Sequence, residues 1–292
     1  MKMRDFAFHE PENLSEVCHL LARYGGEAKI IAGGTDLLVD LKHHSISIEH
    51  LVSISGLEGL KEIVMKGDEL WIGASATLNR VAESEIVRKH IKALAEAAFS
   101  MASEQIRNVG TIGGNIASAV PSADIPPALI AAGAFVLIRG EDGERKIPLD
   151  QFFLGPRKTI LKYDEVLEQV IVPGQPKNSG ISYKKVKLRG ANALAVAGVA
   201  ARVTLKDGVI EDGIIVLGAV APTPVVAKEA SATLKGQPPS SELFEKAAEI
   251  AARESRPIDD IRGSKQYRRD LVKVLTKRSL AEAQERAKKG GI

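Results

Sequence analysis

The pattern of apolar and polar positions begins with two strands that flank a helix. Residues 6–8 form a short apolar run, and residues 29–32, in which three apolar residues follow Lys29, form a second strand candidate that leads directly into two glycines. Between them, apolar side chains recur at helical spacing, which predicts an amphipathic helix. These apolar positions are Leu14, Val17, Leu20 and Leu21. Asn13 or Ser15 can cap the start of this helix, and Gly25-Gly26 ends it.

The pattern continues with strands and helices as far as a predicted boundary, beyond which it indicates a different arrangement. It predicts strands at 51–54 and 70–73 and a helix from Ile86 to Ala98. The run Pro173-Gly174-Gln175-Pro176 interrupts both helix and strand and predicts a boundary. Beyond it we expect an antiparallel sheet, with Asp207-Gly208 as a hairpin turn, followed by helices. The expected elements are strands near 182–188, 195–205 and 213–220 and helices near 243–251 and 264–287. This order predicts an α/β or α+β protein, and the C-terminal antiparallel sheet followed by helices is typical of α+β.

Composition narrows the class of protein. The chain has 292 residues, of which 45% are hydrophobic and 26% charged, as in a folded globular protein of about two domains. No apolar run approaches the roughly 18–20 residues that cross a bilayer. The single cysteine, Cys18, excludes an intrachain disulfide and any multi-cysteine iron–sulfur site. A lone cysteine fits a reducing compartment, so we expect a cytoplasmic protein.

Charge is distributed unevenly along the chain. Residues 262–292 carry ten Lys or Arg against three Asp or Glu, a net charge of +7, whereas the remainder carries −4. This basic tail could dock an acidic partner, or it could be the solvated face of a terminal helix. Aromatic residues make up only 4% and do not alternate with basic ones, so nucleic-acid binding is not expected.

Two glycine pairs are the strongest candidates for ligand binding. The first lies in Ala32-Gly33-Gly34-Thr35-Asp36, directly after a strand, and the second in Thr111-Ile112-Gly113-Gly114-Asn115. Consecutive backbone N–H groups in such turns form a nest for an anion, and the threonine and asparagine side chains add polar groups. A single glycine pair can also be a simple tight turn, but two similar loops favour a diphosphate held from two sides. Neither matches the Rossmann or P-loop pattern.

Further motifs extend this pattern along nearly the whole chain. They are Phe6-x-Phe8-x-x-Pro11, Ala32 to Leu38, Gln105-Ile106-Arg107-Asn108, Thr111 to Asn115, Pro121-Ser122-Ala123-Asp124 and Gly155-Pro156-Arg157-Lys158-Thr159. In this order the chain resembles the FAD-binding (medium) subunits of the molybdenum hydroxylases. This family includes the flavoprotein subunit of carbon monoxide dehydrogenase and the FAD domain of xanthine dehydrogenase.

The resemblance implies a fold and a set of cofactor contacts. It implies an FAD-binding fold of two small α/β subdomains, at 1–56 and 57–175, followed by a C-terminal sheet-and-helix domain at 176–292. Non-covalent FAD would lie between the subdomains. The implied contacts are Ala32, Gly33, Gly34, Thr35, Asp36, Thr111, Gly113, Gly114 and Asn115 for the diphosphate and neighbouring hydroxyls, Asp124 for a flavin-side hydroxyl, and Leu167 and Lys185 near the rings.

Two of these residues have alternative interpretations. Asp124 could instead cap the helix that Pro126-Pro127 introduces. Lys185 could stabilise negative charge on reduced flavin, or it could be a strand lysine that faces water.

The implied function is electron transfer within an oxidoreductase complex. A large partner subunit would hold the molybdenum cofactor and a small one the 2Fe–2S clusters, and FAD would pass their electrons to NAD⁺, oxygen or another acceptor. The histidines show no metal-ligand spacing, so no metal site and no catalytic residue are expected in this chain. Two alternatives stay open: a stand-alone NAD(P)H–flavin oxidoreductase and a non-redox nucleotide-binding regulatory protein. In every case, the first requirement is that the loops of Gly33 and Gly113 lie together.

Overall fold

A computed structural model describes residues 5–190 and 193–290. Within these residues, no helix is both long and apolar enough to cross a membrane. Three main sheets follow one another along the chain, and a two-stranded ribbon accompanies the second. The mixture of one parallel sheet, antiparallel sheets and helices confirms the predicted α+β class.

The first unit is a small parallel sheet covered by helices. Its elements are β1 (Ala7–His9), α1 (Leu14–Tyr24), β2 (Ala28–Ile31), α2 (Leu37–Lys42) and β3 (His50–Ser53). The central strand β3 pairs in parallel with β1 on one side and β2 on the other. The Asn13 side chain caps α1 by accepting a hydrogen bond from the Glu16 N–H, and Gly25, with φ of 53°, ends it. The sequence therefore located this helix correctly from its capping residues.

The second unit is an antiparallel sheet with a layer of short helices. Its elements are β4 (Ile63–Lys66), β5 (Glu69–Gly73), α3 (Leu78–Glu83), α4 (Glu85–His90), α5 (Lys92–Phe99), α6 (Glu104–Val109), α7 (Ile112–Ala117), α8 (Ile125–Ala131), β6 (Phe135–Gly140), β7 (Gly143–Pro148), β8 (Phe153–Gly155), β9 (Lys158–Thr159) and β10 (Val166–Val172). The five-stranded sheet has the order β4-β5-β10-β6-β7, which places the last strand of the unit at its centre.

The second unit departs from the predicted elements in two places. The single helix expected from Ile86 to Ala98 is two helices, because Ile91 adopts an extended φ of −152° and buries its side chain in the core. The stretch from Ser103 to Ala117, rich in small residues, is largely helical. Its small residues allow close packing, since a side chain at Gly113 would lie 2.5 Å from the Ala74 Cβ.

The third unit is an antiparallel sheet packed between two layers of helices. Its elements are β11 (Ser179–Lys187), β12 (Ala195–Lys206), β13 (Val209–Gly218), β14 (Val225–Val226), α9 (Lys228–Ala232), α10 (Ser241–Glu254) and α11 (Lys265–Lys288). Asp207 and Gly208, both with positive φ, join β12 to β13 as the sequence predicts. Alternate residues of β12 face two different cores: Ala200 packs with the second unit, and Val199 packs with the C-terminal helices. This double burial explains why β12 reads as a continuous apolar run.

Candidate functional site

The first glycine loop carries a row of unpartnered backbone donors. Gly33, Gly34, Thr35 and Asp36 follow the carboxyl end of β2 and lead into α2. Their four N–H groups donate to no acceptor within residues 5–190 and 193–290. Gly34 has φ of +68°, a conformation that turns successive N–H groups toward one side of the loop. This loop therefore has the donors that a phosphate group requires.

The backbone N–H groups of the second glycine loop, unlike those of the first, already donate to acceptors within the chain. The N–H of Gly113 donates to the Ala74 carbonyl at 2.9 Å, and the N–H of Gly114 donates to the Thr111 hydroxyl at 3.0 Å. Ile112 and Asn115 also donate to carbonyls of the chain. The expectation that both loops offer an N–H nest is therefore wrong for this one. It begins the helix α7, and Thr111 is its N-cap.

What the second loop offers instead is an open surface and a polar side chain. Gly114 is exposed, and a Cβ atom placed there would lie 2.9 Å from the Thr111 hydroxyl oxygen. The Oδ1 atom of Asn115 is buried and has no hydrogen-bond partner in the described residues. Because an unpaired buried carbonyl oxygen costs about 1–3 kcal/mol, this atom is a candidate acceptor for a ligand hydroxyl.

The two loops are in direct contact. A Cβ atom at Gly33 would lie 1.8 Å from the Val109 carbonyl oxygen, which places the first loop against the residues that lead into Thr111. On the other side of the contact, a side chain at Gly110 would lie 3.7 Å from the Thr35 hydroxyl oxygen. Gly113 itself turns inward, toward Ala74. The requirement that the loops lie together is met through Gly33 and Gly110 rather than through Gly113.

A buried polar network around Arg107 supports the helix α6, which precedes the second loop. The Arg107 Nε donates to the Asn79 side-chain oxygen at 2.9 Å, and its Nη1 donates to the Met101 carbonyl at 2.8 Å. The Asn79 amide in turn donates to the Asn108 side-chain oxygen at 2.6 Å. The motif Gln105-Ile106-Arg107-Asn108 carried no assigned role in the sequence. In the structure, the contacts of Arg107 and Asn108 hold α6 in place, and with it the Val109 carbonyl that Gly33 contacts.

Asp124, Tyr183 and Lys185 form a second polar cluster. Asp124 accepts a hydrogen bond from the Tyr183 hydroxyl at 2.6 Å and an ionic one from the Lys185 ammonium at 2.5 Å. Asp124 occupies the N-cap position of α8, but its side chain makes no capping bond, so the capping alternative is wrong. The Lys185 side chain is only 5% exposed, so the water-facing alternative is also wrong.

Burial controls the protonation of this cluster. Desolvation raises the pKa of Asp124, and the Lys185 ammonium and Tyr183 hydroxyl oppose that rise. Desolvation likewise raises the pKa of Tyr183 well above its ordinary value, and the neighbouring Asp124 adds to it. Tyr183 is therefore a hydrogen-bond donor at neutral pH. A side chain at Gly198 would lie 2.7 Å from the Tyr183 hydroxyl, so the glycine makes room for this contact.

Leu167 is a buried residue of the apolar core. It is buried in β10, within the same apolar core as Ile112 and Ile116 of α7. The next residue, Glu168, lies at a bulge, and its carbonyl accepts the Ala74 N–H at 2.9 Å. Leu167 is thus linked to the second loop through Ala74, and its contact with flavin rings stays a prediction.

These features together fit a diphosphate-bearing cofactor with hydroxyl groups. The first loop supplies free backbone donors, the second supplies Asn115 Oδ1 and the open position at Gly114, and the Arg107 network holds them in place. The buried Asp124–Lys185 ion pair holds an ammonium group in a fixed position. Sequence reasoning missed Tyr183 and Asn79, because their partners lie 59 and 29 residues away along the chain.

Comparisons with known proteins agree with this geometry. Residues 4–175 match the family model described as "FAD binding domain in molybdopterin dehydrogenase". Residues 181–283 match the "CO dehydrogenase flavoprotein C-terminal domain".

Individual relatives resemble the chain over almost its full length. A putative xanthine dehydrogenase FAD-binding subunit of Escherichia coli K12 is 35% identical over 96% of this chain and 97% of that protein. The carbon monoxide dehydrogenase medium chain of Hydrogenophaga pseudoflava is 34% identical over 95% of this chain and 96% of that protein.

Solved structures give the same result. A chain of carbon monoxide dehydrogenase from Hydrogenophaga pseudoflava, lacking the Mo-pyranopterin moiety, superposes with a TM-score of 0.94 at 35% identity, over 98% of this chain and 99% of that one. A chain of quinoline 2-oxidoreductase from Pseudomonas putida 86 superposes with a TM-score of 0.92 at 30% identity, again over 98% and 99%.

Proposed function

We propose a function from one premise: this chain belongs to the family of FAD-binding subunits of the molybdenum hydroxylases. It is the flavoprotein component of an oxidoreductase complex. We propose that it receives electrons from iron–sulfur clusters in a small partner subunit and passes them to NAD⁺, oxygen or another acceptor. In this proposal, substrate oxidation takes place at a molybdenum cofactor in a large partner subunit.

One observation carries the cofactor assignment. Four consecutive N–H groups, from Gly33 to Asp36, are unpartnered in the described residues, and their loop contacts the wall formed by Val109 and Gly110. These N–H groups would bind the diphosphate of FAD, and the Asn115 Oδ1 would accept a hydrogen bond from one of its hydroxyls. When bound, FAD connects one-electron donors to two-electron acceptors.

The Asp124 cluster would set the electrostatics of the site. Asp124 accepts a hydrogen bond from the Lys185 ammonium at 2.5 Å and another from the Tyr183 hydroxyl at 2.6 Å, and so holds the ammonium in a buried position. A fixed positive charge in a low-dielectric site stabilises nearby negative charge more strongly than one in water. Lys185 would therefore favour the reduced cofactor. Asp124 has lone pairs beyond those two contacts and can still accept a ligand hydroxyl.

Partner docking is proposed for the basic helix α11. Part of its charge is used inside the chain, since Arg268 binds Asp260 and Arg286 binds Glu96. Arg269, Lys273 and Arg278 are exposed and have no ion-pair partner among residues 5–190 and 193–290. These three cations are available for an acidic partner surface. A cytoplasmic hetero-oligomer stays part of the proposal, supported by the single, buried Cys18 and by the medium-chain names of the relatives.

The test combines the spectrum of the isolated chain with electron transfer in the reconstituted complex. We expect a yellow protein with one FAD per chain, which is reduced when the complex receives the substrate of its large subunit. Gly114→Val should abolish FAD binding, because the new side chain would enter the open face of the second loop. A colourless chain that retains ADP would favour the regulatory alternative. Turnover with NADH in the isolated chain would favour the stand-alone oxidoreductase.

The Lys185 assignment needs a double-variant design. Lys185→Met alone leaves Asp124 buried without its counter-ion, so Asp124→Asn/Lys185→Met serves as the matched control that removes both charges. Both variants should bind FAD. Lys185→Met should make FAD reduction less favourable than in the wild type, whereas the double variant, in which the net charge of the site is unchanged, should shift the potential less. An unchanged reduction potential in folded, FAD-loaded Lys185→Met would remove Lys185 from the cofactor site.

A further inference from the structure

The opposite end of the first sheet carries a cluster of metal-ligating side chains. Glu27, Glu49 and His50 lie at the starts of β2 and β3, whereas the glycine loop follows the carboxyl end of β2. One ligand atom from each of the three residues lies within 4.8 Å of the others. The sequence predicted no metal site, because these residues come together only through the pairing of the two strands.

The two carboxylates are adjacent without a compensating cation. The Glu49 N–H donates to the Glu27 carbonyl at 3.0 Å, so the two side chains project from neighbouring backbone positions. Among the residues that the structure describes, neither carboxylate forms an ion pair, and neither receives a hydrogen bond from His50. Like charges on adjacent strands are destabilising, and a bound cation would reverse that effect.

The third ligand, His50, has a fixed ring. Its Nδ1 lies 3.0 Å from the His9 Nε2, and its ring stacks on that of Tyr24 with centroids 3.5 Å apart and planes 11° apart. A histidine that ligates a metal usually donates its other ring N–H to a second side chain, which fixes its tautomer. In the tautomer whose Nδ1 donates to the His9 Nε2, the Nε2 of His50 keeps its lone pair for a metal.

We propose that Glu27, Glu49 and His50 form a binding site for a divalent transition metal, with Zn²⁺ as the reference ion. One imidazole nitrogen and two carboxylate oxygens suit Zn²⁺, whereas Mg²⁺ and Ca²⁺ prefer oxygen ligands alone. Water completes the coordination. The metal joins the start of β2 to the start of β3, and it stabilises the first unit without contact with the cofactor loops. The proposal is independent of the proposed electron-transfer function.

The test is Zn²⁺ binding to the full chain, measured by equilibrium dialysis with metal analysis and by thermal unfolding. We expect one Zn²⁺ per chain, and a rise in melting temperature on its addition. Glu27→Gln, Glu49→Gln and His50→Gln should each weaken binding at least tenfold. His9→Gln should weaken it about 10- to 100-fold, as loss of a supporting partner does. Equimolar Mg²⁺ should give no comparable rise.

Two controls separate this site from casual binding by surface histidines. His19 and Glu141 form an exposed pair at 3.1 Å, with no third ligand among the described residues, so His19→Gln should leave binding unchanged. The exposed pair His43-His44 provides a second control, as His43→Gln/His44→Gln. Absence of stoichiometric Zn²⁺, or binding that survives Glu49→Gln and His50→Gln in folded protein, would overturn the proposal. Circular dichroism of each variant checks that it has folded.

Discussion

The contact between the glycine loops can be tested by adding one methyl group at Gly33. In Gly33→Ala the new Cβ would lie 1.8 Å from the Val109 carbonyl oxygen, 2.5 Å from the carbonyl carbon and 3.0 Å from the Gly110 Cα. Side-chain Cβ atoms do not approach other atoms closer than 3.0 Å, so the loops must separate by at least 1.2 Å at this point. The obstructing atoms are backbone, and no side-chain rotation relieves the clash.

The size of the effect follows from the cost of overpacking. Inserting a methyl group into a tightly packed contact costs about 1–3 kcal/mol. If the cost falls on the FAD-bound geometry, it corresponds to an increase in the FAD dissociation constant of about 5- to 150-fold. Gly56→Ala is the matched control, because a side chain there meets no atom within 4 Å. We expect Gly56→Ala to bind FAD as the wild type does.

The assay is a titration of the apoprotein with FAD, followed by flavin fluorescence, together with urea unfolding of both variants. The two measurements show whether the methyl group weakens the cofactor site, the fold or both. Wild-type affinity and wild-type stability in Gly33→Ala would refute the loop contact and, with it, the geometry from which FAD binding is argued.

Three other predictions concern polar side chains with defined hydrogen bonds. Tyr183→Phe removes one of the two donors to buried Asp124 and should lower the free energy of unfolding by about 1–3 kcal/mol in urea, whereas Tyr163→Phe, at an exposed ring, should not. Arg107→Gln should lower the free energy of unfolding by a similar amount. It should also raise the FAD dissociation constant, because α6 supports the second loop. Arg80→Gln, at an exposed side chain, is its control. Hydrogen bonds from Arg262, and then from Arg268, hold the pKa of Asp260 far below its ordinary 3.8. A carboxyl group whose pKa is lowered in the folded state stabilises the fold above pH 3.8. This stabilisation is lost progressively as the pH falls below 3.8. The acid unfolding of Asp260→Asn should therefore depend less steeply on pH than that of the wild type.

Local signals in the sequence were sufficient for much of the fold. Asn13 and Gly25 delimit α1, and Ser264 begins α11, because capping depends on residues within a single turn. The hairpin at Asp207-Gly208 is equally local. The break at Ile91 was missed because tertiary burial of its side chain, rather than a helix-breaking residue, interrupts the helical pattern.

The candidate site was predictable only where its groups are close along the chain. The glycine loops could be found from their composition, whereas the Tyr183–Asp124 contact joins residues 59 positions apart. The pairing of His9 with His50 spans 41 positions and depends on strand order. Register and strand order are set by the whole sheet, so no local sequence pattern predicts such clusters.

The difference between the two glycine loops has a local cause that the sequence does contain. In the second loop a threonine precedes the glycines, so its hydroxyl can accept the N–H of Gly114 three residues later and begin a helix. In the first loop the threonine follows the glycines and cannot serve them in this way. The backbone donors of Gly33 and Gly34 have no acceptor among the described residues, whereas Gly114 donates to the Thr111 hydroxyl and Gly113 donates to the Ala74 carbonyl. The order of threonine and glycine thus distinguishes the loop that offers its backbone to a ligand from the loop that forms the supporting wall.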